Sequence, residues 1–149
     1  MNKEPRSENG VGRGHMFLYL AAALLSLIGL GETTYLTALH VSGASVVCLS
    51  GADCSQVLNS PYATFHGVPL AGLGALAYFV AFSCAILALF GYRRAHDLLA
   101  INVAFMFGTE LWLLYVQAYV LHVFCEYCLI SAALIFLLAG VIVATPRRA

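Results

Sequence analysis

The chain has 149 residues, enough for a single domain, of which 62% are hydrophobic and only 9% charged. A soluble domain carries about 25% charged residues, so this chain cannot cover itself with a water-facing surface, and a soluble globular fold is excluded. Seven Lys and Arg balance seven Asp and Glu for a net charge of zero, which gives nucleic acid no electrostatic reason to bind.

Residues 1–15 are polar and aperiodic and read as a disordered tail. A membrane domain is expected over residues 16–145, built from four apolar spans: Met16 to Leu39, Val68 to Phe90, Leu98 to His122 and Phe124 to Ala144. Each is near the roughly 20 residues that cross a bilayer as helix. The first span has the basic start of a signal peptide, but it is too long for one and lacks a clear small-residue cleavage site before Gly43-Ala44. Residues 146–149 form a short basic tail.

Every basic residue lies outside the spans. Lys3, Arg6 and Arg13 precede the first, Arg93 and Arg94 separate the second from the third, and Arg147 and Arg148 follow the fourth. With four spans the three clusters fall on one side, which the positive-inside rule makes cytoplasmic. Both termini are then cytoplasmic in a multi-pass protein of the cell (inner) membrane, and the segment Val41–Gly67 and the turn near Val123 face outward. Short connections between spans favour an antiparallel up-down bundle.

The outward segment Val41–Gly67 is the longest stretch outside the spans, and structureless loops longer than about 12–15 residues are uncommon and usually functional. Asp53 is a candidate N-cap for a short helix over Cys54–Asn59, stopped by Pro61. Val57, Leu58, Tyr62 and Phe65 give that helix an apolar side with which to lie on the bundle as a lid. Pro69 falls near the first turn of the second span, where its missing N–H costs nothing.

Five cysteines are present: Cys48, Cys54, Cys84, Cys125 and Cys128. Four of them fall on the outward side, an oxidising compartment in which disulfides persist. Cys125-Glu126-Tyr127-Cys128 is a C-x-x-C motif at the outer start of the fourth span. Positions three apart on a helix have Cβ atoms roughly 5–6 Å apart, slightly wide for a disulfide, so closing it needs a local adjustment. A helix N-terminus stabilises a thiolate and makes such a pair reactive. Cys48 and Cys54 can bridge across the Gly51 turn. Three readings fit the two pairs: a zinc site of four thiolates, two structural disulfides, or a redox relay. The placement of one pair on a loop and the other at a helix end favours the relay, and no metal is expected. Cys84, mid-span beside Ser83 and Ala85, reads as a small packing residue.

These residues and their flanks resemble the vitamin K epoxide reductase family, specifically its bacterial disulfide-forming members. The resemblance covers nearly the whole chain after residue 15. It runs through Cys48 and Cys54, Cys54-Ser-Gln-Val-Leu, Ser60-Pro61-Tyr62-Ala63, Phe65-His66-Gly67-Val68-Pro69-Leu70 and Phe124-Cys125-Glu126-Tyr127-Cys128-Leu129. It implies a thiol:quinone oxidoreductase in a four-helix membrane bundle. A reduced thioredoxin-like partner of the DsbA type attacks the loop pair at Cys48. Cys54 passes electrons to Cys125 through a transient Cys54–Cys125 disulfide, and Cys128 reduces a ubiquinone or menaquinone at the top of the bundle. Ser60 matches a family Ser or Thr near the quinone, and Phe65, Leu113 and Gln117 join it as quinone-binding candidates. Vertebrate members carry an Asn near the start of the second helix and a Tyr four residues beyond the last cysteine. Here those places hold Val68-Pro69-Leu70 and Ala132, so the expected acceptor is a quinone, with vitamin K epoxide reduction and a non-catalytic, disulfide-stapled membrane protein as the alternatives. Some bacterial members carry a fused thioredoxin-like domain; the sequence stops at Ala149, so the partner is expected to be a separate protein.

Other polar residues in the spans are few. Glu110, Leu113, Leu114 and Gln117 share one helical face. A charged carboxylate at the membrane centre costs about 2.5–3.5 kcal/mol on insertion scales, so Glu110 is expected to face the interior or carry a proton. It serves either as a proton route to the quinone or as a hydrogen-bonded packing residue. Glu32 in the first span poses the same choice. His66 and His122 near the outer interface are the candidate proton shuttles at neutral pH. Trp112 and tyrosines 19, 35, 62, 115 and 119 partly fit an interfacial aromatic belt.

Overall fold

The computed structural model describes residues 8–45, 48 and 54–145, with the side chains of residues 8–11 excepted. Four long helices dominate it: α1 (Glu8–Ser42), α3 (Leu70–Leu89), α4 (Arg93–Tyr115) and α5 (Glu126–Ala144). A four-residue helix, α2 (Ser55–Leu58), lies between α1 and α3. All four long helices are apolar and long enough to cross a membrane. The shortest, α5, has 19 residues and spans about 28 Å at 1.5 Å per residue, close to the hydrocarbon thickness.

Ring contacts at the two ends fix the direction of the helices. At one end Tyr19 of α1 hydrogen-bonds His96 of α4 at 3.0 Å. At the other end Tyr35 of α1 meets Tyr127 of α5, with ring centroids 6.2 Å apart. The beginning of α1 therefore lies beside the beginning of α4, and the end of α1 beside the beginning of α5, as an antiparallel bundle requires. Arg13, Arg93 and Arg94 are exposed at the Tyr19–His96 end, and the cysteine pairs are at the Tyr35–Tyr127 end.

The most extensive helix packing joins α1 to α3. Gly29 makes it possible, because a Cβ there would overlap the ring of Tyr78. Gly74 similarly receives Thr33, whose Cγ2 would lie 3.3 Å from an added Cβ. Small residues that let helices approach are the usual packing device where lipid removes the hydrophobic drive between helices. Tyr78 is 1% exposed, and its hydroxyl reaches Ser131 Oγ of α5 at 3.1 Å, so this one side chain ties three helices together. Large apolar side chains such as Phe17, Leu24, Phe79, Ile101, Phe105 and Phe136 point outward around the bundle, giving a surface suited to lipid.

Three boundaries differ from the sequence reading. Helix α1 starts at Glu8, so residues 8–15, expected as part of a disordered tail, continue the first helix; residues 1–7 and 146–149 lie outside the described residues. Helix α4 begins at Arg93, not Leu98, because the α3–α4 turn is complete by then. Gly91, at φ +96, lets its own N–H reach Ala88 O at 3.0 Å and the Tyr92 N–H reach Leu87 O at 3.2 Å, a Schellman closure. The end of the third span is not plain α-helix: Val116–Leu121 form a π-helical turn, and His122 at φ +54 reverses the chain.

Residues 54–69, between α1 and α3, form a cap. The expected helix over Cys54–Asn59 is present only as α2, with Cys54 preceding it; its proposed cap, Asp53, lies outside the described residues. Pro61 opens a 3₁₀ turn, Pro61–Ala63. Two short strands not foreseen in the sequence follow, β1 (Thr64–Phe65) and β2 (Val68–Pro69), pairing antiparallel as Thr64↔Pro69 and Phe65↔Val68. Their two-residue turn, His66-Gly67, has both φ values positive, which tight hairpins favour.

Candidate functional site

Cys48 and Cys54 form a disulfide with Cα atoms 5.7 Å apart, within the usual range for the bond. Cys125 and Cys128 are free thiols, as is Cys84. The loop pair is thus bridged, while no bond joins the sulfurs of the helix pair. The two pairs are in one buried cluster: Cys48, Cys54, Val57, Leu36 and Cys125, with Cys128 and Tyr127 packed against it. Cys48 was expected as the exposed entry point but is 3% exposed, while Cys54 and Cys125 are at 1% and 0%. Docking on Leu36 and Val57 is what buries the loop disulfide.

Local backbone explains the position of Cys125. It is the extended residue just before α5, at φ −95, ψ 124, so it stands at the helix N-terminus. Its N–H donates to Gln117 Oε1 at 3.0 Å, across the chain reversal that follows the π turn. Its sulfur accepts a hydrogen bond from Cys128, which is the main reason its thiol is held below the ordinary cysteine value, at about 7. The backbone N–H groups of Cys128 and Tyr127 act in the same direction, against burial and the neighbouring Glu126. A thiolate at a helix N-terminus beside a thiol donor is the electrostatic setting of a reactive C-x-x-C.

Below the cysteines is a largely apolar cavity of about 450 Å³, inside the range of small-molecule sites. Helices α1, α3, α4 and α5 form its walls, and the cap from Val57 to Pro69 covers it. Cys128 lines it; Cys125 does not. Ser60, Phe65, Leu113 and Gln117, the quinone-binding candidates of the sequence, line it as well, as does Glu110, the candidate for a proton route. Ser60 is held in place by donating to Val57 O at 2.7 Å. Gln117 is 1% exposed, and its Nε2 has no hydrogen-bond partner among the described residues. His66 is not brought to this site: it is exposed in the hairpin turn, stacked edge-on against Phe65 at 4.5 Å. His122 is exposed at the chain reversal.

Several lining residues were not foreseen. Thr33, Tyr78 and Ser131 reach the cavity from three helices, and Trp112 packs edge-on against Tyr62 of the cap at 6.2 Å. Only the pairing of helices brings them together, which spacing along one helix does not encode. Among the described residues no cluster of three or more His, Cys, Asp or Glu side chains offers a metal site.

Comparison with known proteins adds two findings. Residues 20–143 match the vitamin K epoxide reductase family. The chain is also 34% identical over 124 residues to the thiol-disulfide oxidoreductase LTO1 of Arabidopsis thaliana, an alignment covering 70% of this chain and 30% of that protein. The chain thus spans less than a third of the length of that relative.

Proposed function

Because the chain belongs to the vitamin K epoxide reductase family, we propose that it is a membrane thiol:quinone oxidoreductase that reoxidises a separate thioredoxin-like protein and so supports disulfide formation. The observation that carries this reading is that the Cys48–Cys54 disulfide and the Cys125/Cys128 thiols pack in one buried cluster, with Cys128 alone of the four opening onto the cavity. The similar Arabidopsis protein is named for thiol–disulfide chemistry.

Electrons move by four exchanges. A reduced partner of the DsbA type, with two thiols, attacks Cys48; the loop disulfide breaks and Cys54 leaves as a thiolate. Cys54 attacks Cys125 of an oxidised helix pair, forming a Cys54–Cys125 bond and releasing Cys128. The partner's second thiolate attacks its own sulfur in the bond to Cys48, leaving the partner oxidised and freeing Cys48. Cys48 then attacks Cys54, which restores the loop disulfide and expels Cys125, whose low thiol value makes it a good leaving group. The arrangement of one disulfide and two thiols seen here corresponds to the end of that sequence. The helix pair then gives two electrons and two protons to the quinone, becoming a disulfide while the quinone becomes quinol. Burial of Cys48 requires the cap to open for the partner.

Ubiquinone and menaquinone both present two carbonyl oxygens on a flat apolar ring, which suits a cavity walled by Leu113, Phe65 and Trp112. The free Nε2 of Gln117 is the donor nearest in kind to what such oxygens need, and Ser60 becomes a second when its hydroxyl turns from Val57 O toward the cavity. The positive-inside rule sets the Arg13, Arg93 and Arg94 end in the cytoplasm of an inner membrane and the cysteines on the outer face. Reduction of vitamin K epoxide is the less favoured acceptor chemistry, since Ala132 stands where vertebrate members have a tyrosine.

The test is quinone reduction by purified protein supplied with a reduced thioredoxin-like protein. Cys128→Ala abolishes quinone reduction and leaves the loop pair able to exchange with the partner. Undiminished quinone turnover in Cys128→Ala contradicts the assignment.

A further inference from the structure

Two carboxyl groups in the interior are unexplained by the thiol relay. Glu110 of α4 is 5% exposed and lines the cavity, and its Oε1 is buried with no hydrogen-bond partner among the described residues. Both carboxyl oxygens of Glu32, on α1, are likewise buried and unpartnered. Tyr78, Glu110 and Cys128 line the cavity from three helices, and Glu32 lies on α1 next to Thr33, which lines the same cavity. Buried polar groups normally find partners, and carboxylates in a membrane interior mark proton and substrate paths.

We propose that Glu32 and Glu110 are a proton-transfer pair serving the quinone oxygen remote from Cys128. The proposal rests on the quinone reading above and assigns a path to its protons. Reducing a quinone forms two O–H bonds at opposite edges of the ring. Cys128, at one edge, cannot protonate the other. Glu110, on the cavity wall, gives its proton to that remote oxygen. Glu32 passes a proton to Glu110, and the proton lost by the Cys125 thiol as the Cys125–Cys128 bond forms restores Glu32. Two S–H bonds break, one S–S bond and two O–H bonds form, and the carboxyl pair ends with the protons it began with. Two carboxyl groups sharing one apolar site titrate as a unit, which suits them to hold and pass a proton. Tyr78, anchored on Ser131, frames the pair from α3.

The experiment uses the full chain in nanodiscs, reduced with dithiothreitol and mixed with ubiquinone-1 or menadione. Quinone loss is followed by absorbance, and binding by quenching of Trp112, which is the single tryptophan and lines the cavity. Glu110→Gln slows quinone reduction about 10²-fold or more, the scale of a lost general acid, with Trp112 quenching and single-turnover exchange from loop to helix pair unchanged. Glu32→Gln slows it by a smaller factor and raises the solvent deuterium isotope effect. The double variant is no slower than Glu110→Gln, because the path is already cut, and Glu110→Asp recovers part of the rate, which a folding defect would not allow. If the wild type reduces quinone and Glu110→Gln does so equally fast, the pair is wrong and the quinone reading stands. Loss of reduction in step with loss of quenching also overturns it, making Glu110 a binding residue. A wild type that reduces neither quinone removes both the reading and the pair.

Discussion

The side-chain carbonyl of Gln117 accepts the backbone N–H of Cys125 at 3.0 Å, so the last turn of the third span holds the first cysteine of the fourth. The π turn over Val116–Leu121 places Gln117 at the bottom of the chain reversal, where it is 1% exposed. Replacing Gln117 with Leu leaves a buried N–H without its acceptor, a loss of about 1–3 kcal/mol. The expected outcome is a lower unfolding midpoint for the reduced protein in detergent, read by thermal or denaturant melting. Gln117→Glu keeps an acceptor at this position and loses less of that hydrogen bond.

The thiolate of Cys125 depends on its neighbour. Because the Cys128 hydrogen bond is the largest cause lowering the Cys125 value to about 7, the thiolate is present above about pH 7 and lost as pH falls through it. In a Cys84→Ala background, thiolate absorbance near 240 nm is expected to rise with a midpoint near 7. Adding Cys128→Ala removes the donor and moves that midpoint upward, toward the ordinary cysteine value of about 8.5.

Helix α1 approaches α3 only because residue 29 is Gly. A Gly29→Ala side chain would overlap Tyr78, and overpacking of this kind costs about 1–3 kcal/mol. Tyr78 also anchors on Ser131 and lines the cavity, so the variant is expected both to melt earlier and to bind quinone more weakly. A titration of Trp112 fluorescence with quinone reads the second effect. Tyr78→Phe, which keeps the ring and removes the hydroxyl, changes stability less.

Orientation is open to direct test. Reporter fusions placed after Arg94 are expected to read as cytoplasmic, and fusions within the cap as extracytoplasmic. After reduction, thiol reagents added from outside reach the loop pair before the helix pair only as the cap opens, because Cys48 and Cys54 are both buried in the closed arrangement.

The four spans were legible because the chain has few charges and confines its Lys and Arg to three clusters; hydropathy alone locates such helices. Motif and flanks picked out the four outward cysteines with Ser60 and Phe65, and the face shared with Glu110 picked out Leu113 and Gln117; the last four all line the cavity. The start of α1 was not, since residues 8–15 carry no apolar periodicity yet continue the helix. The meeting of Thr33, Tyr78 and Ser131 was hidden for a different reason. Helices apolar on nearly every side show no face in their sequence, so which side turns inward is set by contacts such as Gly29 on Tyr78. The burial of Cys48 was missed because it depends on Cys48 packing in one cluster with Leu36 of α1, Val57 of the cap and Cys125. Glu32 and Glu110 did carry a signal, as acidic residues inside otherwise uncharged spans, but that both are buried without partners is not written in the spacing of either helix.

The central claim is that electrons from the loop pair leave only through Cys125, and the redox state of the loop in Cys125→Ser membranes tests it most directly. Without Cys125 the helix position cannot present a disulfide to Cys54, and exchange requires one. When a reduced thioredoxin-like protein is supplied and the thiols are trapped and counted, Cys48 and Cys54 are expected to accumulate as thiols, while wild-type membranes containing quinone return them to the disulfide. A loop pair that stays oxidised in Cys125→Ser membranes under the same challenge would contradict the relay.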